Sequence, residues 1–255
     1  MTNFRIKLVL AFLTAVLVPL AVTNFLTVNE TQGFATESFE KSFNNEVKQI
    51  EHGVSVMFDL YRQNVSLLSE QSLLYESRVS VTNYLNSGPV LMTPDHNGGL
   101  ESKLYFEFEK LARHFKALNY VYFGTEQGAY VQWPKGPVIA NYDPRKRPWY
   151  QAALAANGEI TRVPAYYWPP DNTTVISTVK LLKDELGEPF GVIGVDITLG
   201  NFTSSLESVD FGFNGAMLVI EDTGRILADT RNEANVFKFI EHVEGGKFSP
   251  YITKS

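Results

Sequence analysis

The chain has 255 residues, 44% hydrophobic and 20% charged, with a formal net charge of −6 and no cysteine. This composition is globular, and the length allows one or two domains with a real core. It excludes disulfides and thiolate metal sites, and the acidic balance speaks against a broad nucleic-acid footprint. The four histidines, at 52, 96, 114 and 242, are scattered without metal-ligand spacing, so neither metal nor cofactor is expected.

At the N-terminus Arg5 and Lys7 precede 22 uncharged residues, Leu8 to Asn29. Such a run can cross a bilayer as a helix. The two cations on its N-terminal side place residues 1–7 in the cytoplasm and the remainder outside. A cleaved signal peptide has a similar plan, but no A-x-A site follows the apolar run. The expectation is therefore a retained anchor over 1–29. Residues 30–86 are assigned to a long extracytoplasmic helix. Phe39, Phe43, Val47, Ile50, Val54, Met57, Tyr61, Val65 and Leu68 recur at steps of three or four, which draws one apolar stripe along it. The stripe can cover the protein's own sheet, a second copy in a homodimer, or both.

Ser87-Gly88-Pro89 and Asn97-Gly98-Gly99 mark turns, and a second helix is predicted from Leu100 to about Leu118. Tyr120–Phe123 and Ala129–Trp133 flank a Gly-containing turn and predict a hairpin. Pro148 and Gly158 bracket a short helix. Strands are predicted over Thr174–Leu182 and Pro189–Leu199, and a connector over 201–209. A second hairpin, Ala216–Ile220 and Arg225–Ala228, suggests a further subdomain from residue 210, too short in the remaining residues to be complete.

Two features carry chemistry. In Tyr142-Asp143-Pro144-Arg145-Lys146-Arg147-Pro148-Trp149-Tyr150, three cations and three large aromatics crowd nine residues where a helix begins. Arg147 can grip a carboxylate with two parallel N–H bonds, and the Trp149 indole and the helix start add donors. The alternative is a charged, solvated turn with its aromatics in the core, and on composition alone that alternative is the stronger. The second feature is Asp196, alone in the apolar strand Phe190–Ile197. Alternation puts it on one face with Val192 and Gly194. A buried acid needs a partner: a ligand ammonium, or Arg, Lys or backbone donors of the protein itself. Gly194 suggests open space beside it. Tyr130 and Trp133 could either wall a pocket or pack the sheet.

Taken together, the segment Tyr142–Tyr150 and the later Gly191-Val192-Ile193-Gly194-Val195-Asp196-Ile197 resemble the double Cache domain of bacterial sensors, found in chemoreceptors, sensor histidine kinases and cyclic-di-GMP enzymes. The resemblance covers roughly residues 30–240. It implies an α+β architecture: an N-terminal transmembrane helix, a long amphipathic helix and PAS-like antiparallel sheet subdomains. The ligand site falls in the membrane-distal subdomain, 87–209, and 210–255 begins the membrane-proximal one. The amino-acid-binding subset of that family is matched by Tyr142, Arg147, Trp149, Tyr150 and Asp196. By this resemblance Arg147 and Trp149, with Tyr142, take the ligand carboxylate, and Asp196 and Tyr150 take the ammonium. One departure stands out. The subset carries a Tyr and a further Asp before the next strand, whereas Ala165–Asp171 offers Tyr166 and Tyr167 but no acid until Asp171. The reading that follows is a non-enzymatic sensor region in the bacterial cell membrane, most plainly of a chemotaxis receptor. It would have an amino acid as partner and no nucleic acid. Its alternatives are the input domain of a kinase or cyclase, and a structural oligomerisation domain. A hydrolase is disfavoured, because neither a G-x-S-x-G elbow nor an HExxH is present.

Overall fold

The computed structural model describes residues 2–207, 217–243 and 245. It divides into two compact units, residues 1–56 and 57–255. Helix α1 runs over Thr2–Ser69. In the first unit its residues 6–28 are exposed along their whole length, Leu8, Phe12, Leu17 and Phe25 among them. By length and composition this helix can cross a membrane. Phe39 and Phe43 stack on each other at 6.2 Å, each about half exposed.

The second unit begins with the last turns of α1. Here the same stripe is buried: Tyr61, Val65 and Leu68 retain 2%, 0% and 1% of their exposure. The helix stops at Ser69, short of the 86 expected. A second, short helix α2 (Ser72–Ser77) follows, closed by Arg78, whose guanidinium lies 3.6 Å from the Tyr75 ring. Strand β1 (Val90–Leu91) precedes helix α3 (Gly99–His114), whose Leu104 and Phe108 are fully buried. The helix ends before the predicted Leu118, because Phe115 leaves helical geometry.

The predicted hairpin forms as β2 (Tyr120–Thr125) and β3 (Tyr130–Trp133). Strand β4 (Pro137–Val138) pairs with β1, and the short helix α4 spans Pro148–Ala156. Asn157 closes α4 in the left-handed region, φ 52°, its N–H bonded to Ala153 and Leu154 carbonyls. Strands β5 (Thr161–Trp168), β6 (Thr173–Lys183) and β7 (Pro189–Thr198) complete an antiparallel sheet in the order β3-β2-β7-β6-β5.

Strand β5 was not predicted. Pro164 breaks the strand pattern, since it cannot donate to a ladder and belongs at an edge or a bulge. It has both here. β5 is the edge strand, and its register with β6 shifts between Val163 and Tyr166. The connector expected at 201–209 is instead helix α5 (Leu199–Glu207). Its sequence is rich in Gly, Ser and Thr and so reads as loop, but Leu199, Phe202 and Leu206 form a stripe that is 2%, 0% and 5% exposed. Packing overrides weak propensity. The second hairpin appears as β8 (Leu218–Ile220) and β9 (Ile226–Asp229). The expected subdomain start at 210, and Ala216, lie outside the described residues.

The sheet has two working faces. Residues 121, 123, 193, 195 and 197 point to one, which also carries Lys180, whose amine donates to Ser69 at the end of α1. Residues 120, 122, 192, 194 and 196 point to the other, where α4 lies and where the aromatic cluster collects.

Candidate functional site

The segment 142–150 sorts its three cations by geometry. Asp143 caps a 3₁₀ turn over Pro144–Lys146, accepting from the Arg145 backbone N–H at 3.1 Å and from its Nε at 2.9 Å. These bonds hold the Asp143 carboxyl below the usual range. Lys146 stays in solvent, its side chain 82% exposed. Only Arg147 turns inward. It is the residue before α4, in extended geometry, with Pro148 in the first turn. Its guanidinium carbon lies 5.3 Å from the Tyr142 ring centre and 5.6 Å from that of Trp168. The solvated turn and the receptor are thus both present, on neighbouring residues.

The Arg147 Nε, the Tyr142 hydroxyl and the Trp168 Nε1 are all buried without a hydrogen-bond partner. Three unpaired donors on three touching residues are costly in a finished core, where buried polar groups are almost always bonded. Burial pushes the Tyr142 phenol up, opposed by the Arg147 charge and by the polar groups of Trp149 and Tyr130 beside its oxygen, so its proton stays available to donate at neutral pH. An anion seated here would satisfy all three.

Asp196 lies on the same face of the sheet, 5% exposed. Its Oδ1 accepts from the Tyr122 hydroxyl at 2.8 Å. Burial raises its carboxyl to about 7, with hydrogen bonds from Ser177 and Tyr122 working against the rise. Ser177, opposite Asp196 in the ladder, shares a 2.9 Å hydrogen bond with the Tyr166 hydroxyl. Tyr122 and Tyr166 are themselves pushed far up by burial and by the Asp196 charge. Among the described residues no cation pairs with this acid. The site therefore has a donor-rich end and an acceptor end on one sheet face.

The space expected beside Gly194 is already filled. A Cβ there would sit 2.6 Å from the Tyr122 ring, and one at Gly124 would sit 2.6 Å from Trp149. These glycines admit aromatic rings against the backbone, not a ligand. Trp149, 1% exposed, packs at 4.8 Å on Tyr122 and 6.1 Å on Tyr130. Tyr130 belongs to the buried cluster, whereas Trp133 is only half-buried and outside it.

Two expected residues sit differently. Tyr167 is 48% exposed and donates to Asn172 at 2.7 Å, because alternation along β5 sends Tyr166 and Trp168 inward and Tyr167 outward. Tyr150 is buried, but the charges that act on its phenol, raised to about 12 by burial, are Glu126, Arg145 and Asp143. Asp171 ends a 3₁₀ turn after β5 and accepts from the Tyr120 hydroxyl at 2.7 Å. Tyr120 is the ladder partner of Asp196, so the two acids flank one tyrosine. Sequence reasoning missed Trp168, Tyr122, Tyr120 and Ser177 as site residues. The available signal was Gly194, whose smallness a cross-strand aromatic would explain; its partner is Tyr122.

Residues 96–204 match the first PDC sensor domain of the methyl-accepting chemotaxis protein-like family. Among curated proteins, the methyl-accepting chemotaxis protein PctB of Pseudomonas aeruginosa is 36% identical over 108 residues, 42% of this chain and 17% of that protein. McpB of Bacillus subtilis is 33% identical over 114 residues, 45% of this chain and 17% of that protein. The matched region thus spans about a sixth of these relatives. The ligand-binding domain of the Pseudomonas fluorescens chemoreceptor CtaA, solved with L-valine, superposes with a TM-score of 0.55 at 19% identity, over 75% of this chain and 74% of that one. The corresponding domain of Campylobacter jejuni Tlp3 gives 0.52 at 22% identity, over 80% and 75%. These two likenesses establish the fold. Over residues 96–204 the chain is therefore similar in sequence to that sensor domain, and it shares the fold of these chemoreceptor ligand-binding domains.

Proposed function

We propose that this chain is the extracytoplasmic sensing region of a membrane-anchored chemoreceptor, and that it binds an amino acid between Arg147 and Asp196. One observation carries the ligand: unpaired buried donors on Arg147, Tyr142 and Trp168 share a sheet face with a buried acid that has no cation. A zwitterion supplies the missing partner at both ends, carboxylate to the first and ammonium to the second. Tyr122 and Ser177 steady Asp196, and Tyr166 steadies Ser177. Tyr142 and Trp168 flank the Arg147 guanidinium, and Asp171 stands in for the acid that the related pattern places before the next strand. The solved structures of CtaA with L-valine and of Tlp3 with 4-methylisoleucine favour the same ligand class. The role is recognition without catalysis.

Anchoring belongs to the same reading. Residues 6–28 of α1 lie in the bilayer, with residues before them cytoplasmic and the sensor outside. The exposed faces of Phe39 and Phe43 suit pairing with a second α1.

The test is calorimetry of the full chain in lipid nanodiscs against the common amino acids. At least one should bind, and Arg147→Ala and Asp196→Ala should each weaken it by at least about 100-fold, the loss expected when a buried charge is left unpaired. Circular dichroism should show both variants folded. Binding to no amino acid by folded wild-type protein would refute the assignment.

A further inference from the structure

The charged groups at the site are few, and each has an assignable task. This bears on which amino acids it can hold. Arg147 and Asp196 face the two ends of a zwitterion. Arg145 is engaged by Asp143, and Lys180 lies on the opposite face of the sheet, bonded to Ser69. Asp171 is the remaining acid at the site, and the Tyr120 hydroxyl occupies its Oδ2.

The wall opposite the sheet is apolar. Residues 82–92 and 136–141 form a flap: Tyr130 N–H donates to Thr82, β1 pairs with β4, Met92 N–H donates to Gly136, and Asn141 N–H donates to Ser87. This flap brings Tyr84, Met92, Val138 and the half-buried Ile139 into the same cluster as Tyr142 and Trp168. β4 also lies against the 169–171 turn, next to Trp168 and Asp171. The flap is pinned from behind by Glu101, 2% exposed, which accepts from Thr82 N–H at 3.1 Å, Thr82 Oγ1 at 2.8 Å and Asn97 Nδ2 at 3.0 Å. Its apolar side chains are thereby held over the site.

We infer that the site selects by side-chain charge, taking amino acids with uncharged, apolar side chains and rejecting acidic and basic ones, because the flap meets the ligand side chain with Tyr84, Met92, Val138 and Ile139. This rests on the amino-acid reading above. An acidic side chain would lose its water here with no second cation to replace it, and a basic one would lose its water against Tyr84, Met92, Val138 and Ile139, since Asp171 is exposed and offers no buried carboxylate. Specificity of this kind comes from the repulsive term as much as from the attractive one.

The experiment is a calorimetric series on the full chain in nanodiscs with L-valine, L-leucine, L-glutamate and L-lysine. Valine or leucine should bind at least about 100-fold more tightly than glutamate or lysine, the scale set by burying an unpaired charge. Glutamate or lysine binding within tenfold of the better aliphatic ligand would overturn the inference while leaving the amino-acid reading standing. Binding to none of a full amino-acid panel would overturn that reading, and this one with it. Ile139→Lys supplies a gain-of-function arm: a half-buried position lets the lysine stem lie along the wall. The variant should improve glutamate binding relative to leucine by at least tenfold. No change in that ratio, in a variant that still binds leucine, would show that the flap does not meet the ligand side chain and would overturn the inference.

Discussion

At the scale of single residues, Asp196 joins ligand chemistry to stability. Its carboxyl is raised to about 7 by burial, against roughly 3.9 in an unfolded chain. Between these values the folded protein holds a proton that the unfolded chain has released. Stability of the ligand-free protein should therefore fall as pH rises from about 4 to 7 and level off above. An ammonium needs the ionised form, so amino-acid affinity should climb through the same window and be roughly tenfold weaker at pH 6 than on the plateau. The tyrosines around Asp196 are all pushed upward and do not titrate there. Asp196→Asn should flatten the stability profile, stabilise the ligand-free protein at pH 8 by about 1–3 kcal/mol, and abolish binding at every pH. Melting curves and calorimetry from pH 5 to 8 check each part. A second test concerns the donor end. Arg147→Lys keeps the charge but loses the fork, and should weaken binding by at least about tenfold with the melting temperature unchanged.

At the scale of elements, α1 is one helix with two environments. Its stripe of three- and four-residue steps is uniform in the sequence, yet Val65 and Leu68 are buried while Phe39 and Phe43 are about half exposed. Leu67 and Leu68 make the contrast within one turn, at 58% and 1% exposure. Leu68→Ala should cost about 2–5 kcal/mol and Leu67→Ala less than about 0.5 kcal/mol, measured by chemical denaturation. Periodicity alone shows that a face is apolar, not what covers it. The two unpredicted elements have the same origin. β5 survives Pro164 because an edge strand with a bulge can spare an N–H, and the Ala165 N–H beside it is taken by the Glu221 carboxylate at 3.1 Å. α5 forms because three buried side chains outweigh a poor helical sequence.

At the scale of the whole molecule, the proposed topology places the first few residues in the cytoplasm and the sensor outside. The chain has no cysteine, so single introduced cysteines report orientation without background. Lys116→Cys, at an exposed position, should react with a membrane-impermeant maleimide in intact cells, and Thr2→Cys only after permeabilisation. The reverse pattern would invert the topology. The sequence by itself marked the apolar N-terminal run, a long helix and most strands, and it singled out Arg147 and Asp196 as candidates. These are local facts of composition, alternation and charge, and they survive in any fold that respects them. Only the tertiary structure decided which of three adjacent cations turns inward, that Tyr122 fills the room beside Gly194, that Tyr167 faces out, and that Trp168 completes the donor end. The Tyr122–Gly194 contact depends on the register of β2 with β7, the placing of Tyr167 and Trp168 on a one-residue bulge in β5, and the turn of Arg147 on the loop that enters α4. A shift of one residue exchanges the two faces of a strand, and no local pattern in the sequence records it.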